Sequence, residues 1–195
     1  MRSFEMEKGV VSSTKTKQKI QEAFLNLCMQ KGLSEITISA VTKRAGCNRC
    51  TFYNYYDDLN DLLAETEDDF IRQLQAKMSE LYSDGVPKDI SAIFSTLFTA
   101  FEEYGDILYT LLSEKGDPTF RNRLKQAAVS YFNTADFDFP ARDKMDYVFC
   151  YAISAWTGLI EHWYETGKKD SPKDFLHLSQ ALVANGVLGT MKEAK

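Results

Sequence analysis

Proline and glycine are scarce in this chain, four and ten in 195 residues, and strict apolar–polar alternation is hardly found. Both absences argue against short strands joined by tight turns. No apolar run approaches the roughly 20 residues a helix needs to cross a bilayer. The opening MRSFEMEKGV lacks the apolar stretch of an export signal. The expectation is a cytoplasmic protein without a membrane partner. Histidine is limited to His162 and His177. No H-E-x-x-H, Gly-rich phosphate loop or Ser-His-Asp order accompanies them. No metal, cofactor or enzymatic reaction is therefore expected, and His162 reads as a helix-face or dimer-interface residue.

Cysteine is sparse too: Cys28, Cys47, Cys50 and Cys150. Without an export signal these read as free thiols rather than a disulfide framework. Cys47 and Cys50 form one C-x-x-C, but a structural zinc site wants four ligands and no second pair is present. A thiol redox role for this pair is the alternative to coincidence.

The net charge is −5, and it is unevenly spread. Residues 1–56 hold nine Lys/Arg against four Asp/Glu, whereas residues 57–195 hold 14 against 24. A basic end on an acidic chain suits a module that faces phosphates.

Hydrophobic residues make up 44% of the chain, enough for a sizeable core, and their spacing is helical. Residues 1–14 are polar and aperiodic and read as a mobile tail. A first helix, about Lys15 to Lys31, carries Ile20, Ala23, Phe24, Leu27 and Cys28 as one stripe and stops at Gly32. Thr37 caps a second helix, about Ile38 to Ala45, with Ile38, Val41 and Ala45 facing inward. Gly46 supplies a sharp turn. Asn48 caps a third helix, about Arg49 to Tyr55, and two short helices joined by a glycine turn form a helix-turn-helix pattern. A long fourth helix, about 58–82, begins at Asp57, Asp58 and Asp61, where acidic groups complement the helix dipole.

Further helices are expected over about 88–104 and 107–114, with Gly105-Asp106 breaking the chain between them. Another opens at Asp117-Pro118, and residues 133–140 read as a loop. Two more cover about 142–166, ended by Gly167, and 172–191, started by Ser171-Pro172. The fold class is all-α: a three-helix N-terminal helix-turn-helix domain and a C-terminal helical bundle, about nine helices in all. The domains are expected at 1–56, basic tail and DNA-binding head, and 57–195, ligand binding and dimerisation.

The stretch Ile36–Leu63, ITISAVTKRAGCNRCTFYNYYDDLNDLL, bears the most specific pattern. Phe52 and Tyr56 stand four apart and share one helix face, suited to packing on the first two helices. That leaves Arg49, Thr51, Tyr53, Asn54 and Tyr55 on the other faces, an aromatic load costly to expose on two turns unless the ring hydroxyls reach something. Ala45-Gly46, Asn48, Arg49, Thr51, Phe52-Tyr53, Tyr55-Tyr56 and Leu62-Leu63 together resemble the DNA-binding core of the tetracycline-repressor (TetR) family, over about residues 15–65.

The resemblance implies a dimer on palindromic double-stranded DNA, with Thr37 and Asn48 near phosphates, Arg49 at a guanine edge or a phosphate, Thr51 at bases, and Tyr53, Asn54 and Tyr55 along the backbone. Cys50 stands where family members commonly carry glycine for close approach. Leu59 stands where many carry a phosphate-binding lysine, and Asp57 and Asp58 beside it are expected to repel phosphate.

Farther on, the resemblance implies an effector pocket for a small molecule among Phe94, Phe98, Phe101, Phe132, Phe149 and Trp156. The helix over about 142–166 has a second apolar stripe in Tyr151, Ala155, Gly158 and His162. The last helix carries Phe175, Leu178, Leu182 and Asn185 on one side and Leu176, Val183 and Val187 on another. A surface helix needs one apolar face only, so these second faces read as a homodimer interface. The expected function is a ligand-responsive transcriptional repressor, not an enzyme. The alternative is a protein-binding coregulator that has lost direct DNA binding.

Overall fold

The computed structural model describes residues 2–81, 101, 104–113, 116–134, 144–179 and 181–182, with helices and turns and no strand among them. The chain divides into two compact units, Met1–Asp69 and Phe70–Lys195, and the division falls within one helix.

The first unit starts with α1, Arg2–Lys31. The helix thus begins well before Ile20, the first residue of its apolar stripe, and runs through residues 2–14, where a mobile tail is expected. Only Gly9 interrupts the helix-compatible residues there, and no proline does. From Ile20 onward the stripe is as expected: Ile20, Ala23, Phe24, Leu27 and Cys28 are buried. Burial pushes the Cys28 thiol up to about 12.

A 3-10 turn, Leu33–Glu35, leads to α2, Ile38–Ala45, and then α3, Arg49–Tyr53. Helix α2 ends as a Schellman motif. Gly46 is left-handed at φ 68, its N–H donates to Lys43 O, and Cys47 N donates to Thr42 O at 3.0 Å. Val41, Phe52, Tyr56 and Leu62 close the core, each at most 2% exposed. The Phe52 and Tyr56 rings pack at 5.6 Å, the anchoring face that their spacing predicts.

Helix α4, Leu59–Leu81, continues past the end of this unit. In the second unit, Phe70 and Met78 of α4 are buried, as are Leu108, Leu111 and Leu112 of α5 (104–112), Phe120 and Leu124 of α6 (Phe120–Thr134), and Phe149, Ala152, Ile153, Trp156, Ile160 and Trp163 of α7 (Met145–Glu165). The final described helix, α8 (172–179), adds Phe175. Ser171 Oγ caps it by accepting from Asp174 N. Gly167, at φ 81, ends α7 as Gly46 ends α2, with Lys168 N donating to Trp163 O.

The expected break at Gly105-Asp106 is not found, because both residues lie inside α5. A Cβ on Gly105 would stand 2.8 Å from a Phe101 ring carbon. The glycine makes room for that ring instead of ending a helix. The ring is the hub of an aromatic cluster, 5.9 Å from Trp156, 6.0 Å from Trp163 and 5.6 Å from Phe175. The loop expected at 133–140 is helical at Asn133 and Thr134, and the rest of it lies outside the described residues, as does most of the helix expected at 88–104.

Candidate nucleic-acid interface

Two side-chain caps define the reading head. Thr37 Oγ1 accepts from Ala40 N at 3.2 Å to open α2. Asn48 Oδ1 accepts from Thr51 N at 2.8 Å and from the Thr51 hydroxyl at 3.1 Å to open α3. Thr51 is half-buried and held by that bond. Arg49, Cys50 and Asn54 are exposed, Tyr53 is 54% exposed, and Tyr55 is half-buried. Seven of the eight residues expected to contact DNA thus form one contiguous surface of α3 and its flanks, with Thr37 at the start of α2.

The ring most firmly held is Tyr56. It lies 5.6 Å from Phe52 and 6.5 Å from Tyr55, with Lys17 Nζ 5.9 Å from its centroid. Its phenol is pushed up, first by burial and then by the Glu65, Asp69 and Asp61 carboxylates. Lys17 pairs with Glu65, and Gln21 donates to Asp69. Tyr56 is therefore core, while Tyr53 stands outside.

The acidic residues before α4 have a structural use that charge alone did not reveal. Asp58 Oδ1 accepts from Asn60 N at 2.7 Å and Asp61 N at 2.9 Å, and Asp61 Oδ2 reaches back to Asp57 N at 3.0 Å. The pair is a reciprocal cap of the helix N-terminus. The signal was present in the sequence as D-x-x-D immediately before an apolar stripe.

In the second unit Phe101, Phe149 and Trp156 are buried at 5%, 3% and 7% exposure, and the first and last are brought together. Phe94 and Phe98 and the side chain of Phe132 lie outside the described residues. Of the expected interface, Tyr151 is 57% exposed, Leu178 55% and Leu182 51%; Gly158 and His162 are exposed and Ala155 is half-buried. Asn185 lies outside the described residues. Phe175, on the same side of its helix as Leu178 and Leu182, is buried and stacks on Trp163 at 4.7 Å, whereas the two leucines are exposed.

One cluster had no sequence signal. Asp106 accepts from the Tyr164 hydroxyl and from Lys168 Nζ, and Tyr164 stacks on Tyr109 at 4.1 Å. Lys168, at φ 55, sits 4.0 Å over the Tyr164 ring. These hydrogen bonds hold the Asp106 carboxyl below its ordinary value.

A model of the TetR transcriptional-regulator C-terminal region matches residues 88–185, half of the chain. The chain belongs to the TetR family. No curated protein sequence matches this TetR-family chain. Solved structures share its fold. The TetR transcriptional regulator from Streptococcus agalactiae is 24% identical at a TM-score of 0.58, over 92% of this chain and 98% of that one. A TetR-family regulator from Syntrophomonas wolfei is 19% identical at 0.66, over 90% and 96%. NalD, the secondary repressor of the MexAB-OprM multidrug efflux pump in Pseudomonas aeruginosa, is 17% identical at 0.66, over 90% and 96%. The TetR-family fold is that of a DNA-binding transcriptional regulator. No helix among the described residues is long and apolar enough to cross a membrane.

Proposed function

We propose that this TetR-family chain is an effector-responsive repressor that binds a palindromic operator as a homodimer. The observation that carries the reading is the division of labour on α3. Phe52 and Tyr56 are buried, and Arg49, Cys50, Tyr53 and Asn54 face outward from the same five-residue helix and its end. Arg49 is assigned to a guanine edge, Tyr53 and Tyr55 to backbone phosphates, and Thr37 and Asn48 to the phosphates at their helix starts, with Thr51 between them. A two-fold dimer matches two recognition helices to two half-sites. Its interface is assigned to Tyr151, Ala155, Gly158 and His162 of α7 with Leu178, Leu182 and Asn185. The exposure of the large apolar side chains Tyr151, Leu178 and Leu182 supports that assignment.

Residues 57–195 are assigned to effector binding and dimerisation, the effector being a small, largely apolar molecule held near Phe101, Phe149 and Trp156. Release of DNA then requires that the effector bind one state of the dimer more tightly than the other. A protein-docking role was suggested by the acidic start of α4. The capping bonds of Asp58 and Asp61 account for those carboxylates without it.

The test is operator affinity. A palindromic duplex is recovered from a random library by selection on the full-length protein, and binding is read by fluorescence anisotropy. Arg49→Ala is expected to cost about 1–3 kcal/mol and to relax preference at one base position. Tyr53→Phe is expected to weaken binding at unchanged thermal stability. A Tyr53→Phe protein with undiminished affinity rejects the hydroxyl–phosphate role.

A further inference from the structure

We infer that Cys50 and Cys47 form an oxidation site on the reading head, where a hydroperoxide converts the pair to a disulfide and so releases DNA; the release rests on the DNA-binding reading above. Both thiols are free. Cys50 is exposed on the outward surface of α3 beside Arg49, and Cys47 is half-buried three residues earlier. From Ile36 to Tyr56 the chain carries three cations and no acid. An accessible thiol among positive charges, with a second thiol close in the chain, is the setting in which oxidation is selective. Cys28 is buried, and Cys150 is exposed with no other cysteine near it in the chain.

The backbone around the pair decides what the bond does. A disulfide needs its two Cα atoms about 4.4–6.8 Å apart, and residues three apart come that close where the residues between them turn the chain back. Asn48 does not turn. It is extended at φ −96 and ψ 169, as a helix cap requires. Cys47 is pinned on its other side, where its N–H donates to Thr42 O at 3.0 Å at the end of α2. The movement that closes the bond therefore falls on Asn48 and the first turn of α3. Asn48 Oδ1 then gives up Thr51 N and the Thr51 hydroxyl, the bonds of 2.8 and 3.1 Å that start the helix. Helix α3 has five residues and no length in reserve, so Arg49 and Tyr53 lose their positions with it.

The chemistry balances with a hydroperoxide as the oxidant. Cys50 Sγ, having lost its proton, attacks the hydroxyl oxygen of the peroxide. The S–O bond forms and the O–O bond breaks; the leaving alkoxide, or hydroxide from hydrogen peroxide, takes up the thiol proton. Cys50 is then a sulfenic acid, oxidised by two electrons while the peroxide is reduced by two. Cys47 Sγ next attacks the Cys50 sulfur. The S–S bond forms, the S–O bond breaks, and hydroxide leaves with the Cys47 proton as water. The exposed thiol acts first, and burial raises the Cys47 thiol. A bond closed against a displaced cap is more easily reduced than an unstrained one, so a dithiol restores the helix.

The experiment uses the full-length protein and the palindromic duplex selected on it under reducing conditions. Hydrogen peroxide is added, and affinity is read by fluorescence anisotropy before it, after it and after dithiothreitol. Peptide mass mapping reads the thiols. The oxidised parent is expected to carry a Cys47–Cys50 disulfide and to bind about tenfold or more weakly, the equivalent of one lost base contact, with full recovery in dithiothreitol. Cys50→Ser is expected to bind equally before and after peroxide. Cys47→Ser is expected to accumulate the Cys50 sulfenic acid, trapped by dimedone, with no internal disulfide. Cys150→Ser is expected to respond as the parent does. Undiminished affinity in a protein shown to carry the disulfide overturns the inference. So does a peroxide effect that persists in Cys50→Ser, a treated parent with both thiols still free, or a bond that joins two chains instead. A reduced parent that selects no duplex overturns the DNA-binding reading and the release with it; mass mapping still reads the disulfide, which tells the two failures apart.

Discussion

Gly46 allows the backbone part of the helix-turn-helix to be weighed by itself. Its φ of 68 lies in the left-handed region, and nothing lies within 4 Å of where a Cβ would stand. A side chain there meets strain but no clash. The left-handed conformation costs an L-residue about 1–2 kcal/mol. Replacing glycine by alanine also returns roughly 0.4–1 kcal/mol, because the unfolded chain has less freedom to lose. Gly46→Ala is thus expected to destabilise by about 0.5–1 kcal/mol net. Gly46→Asn is expected to do less harm, since asparagine tolerates this region better.

Urea unfolding followed by circular dichroism reads the difference; with slopes of about 1–3 kcal/mol/M the alanine midpoint moves by a fraction of a molar unit. The Schellman bonds, Gly46 N to Lys43 O and Cys47 N to Thr42 O, survive in both variants, so operator affinity is expected to stay within a few-fold of the parent. A loss above about 3 kcal/mol would mean a steric obstacle that the open surroundings of Gly46 do not contain. Asparagine worse than alanine would refute the left-handed cap.

Asp58→Ala removes the cap of α4 and is expected to cost about 1 kcal/mol, whereas Asp58→Asn keeps an acceptor oxygen and loses little; chemical denaturation of both checks the order. If Asp58 faces phosphate in the complex, the asparagine variant also binds DNA more tightly, most visibly at low salt. Thiol labelling of the native protein at mildly alkaline pH is expected to modify exposed Cys50 and Cys150 first and half-buried Cys47, whose thiol burial raises, more slowly. Cys28, pushed up to about 12, should react only on unfolding, and native labelling of Cys28 at the rate of Cys50 would contradict the buried face of α1. Asp106 gives a pH prediction. Its folded-state value lies below the ordinary 3.8, so its contribution is present above that pH and is lost as pH falls through the folded value. Asp106→Asn should remove that part of the acid limb in a stability–pH profile, and an unchanged limb would deny the bonds from Tyr164 and Lys168.

Elements governed by local chemistry were legible in the sequence. The stripe from Ile20 to Cys28, the caps Thr37 and Asn48, the stops Gly46 and Gly167, and the Ser171-Pro172 start each depend on residues within a turn or two. Features set by distant partners were not. Gly105 reads as a stop because nothing nearby shows that the Phe101 ring will occupy its missing side chain. Nothing near Phe175 shows that Trp163 will stack on it. The bonds from Lys17 to Glu65 and from Gln21 to Asp69 cross 48 residues and leave no periodic trace. In the candidate DNA-contacting surface, the outward set was legible because Phe52 and Tyr56 fixed which side of α3 is inward. The fixing of the Thr51 hydroxyl by Asn48 depends on rotamers that no spacing encodes.

That same asparagine decides the polarity of an edge. Its Oδ1 already takes two protons from Thr51, so the amide NH2 is what remains to offer, and NH2 only donates. At Thr37 the hydroxyl oxygen receives the Ala40 proton and leaves its own proton to turn outward. Both helix starts therefore present hydrogens to whatever approaches, and a phosphate is a pure acceptor. A molecule whose formal charge sums to −5 can in this way be attractive to a polyanion along one rim, because the folding of its caps orients dipoles there in addition to the basic charge of its first 56 residues.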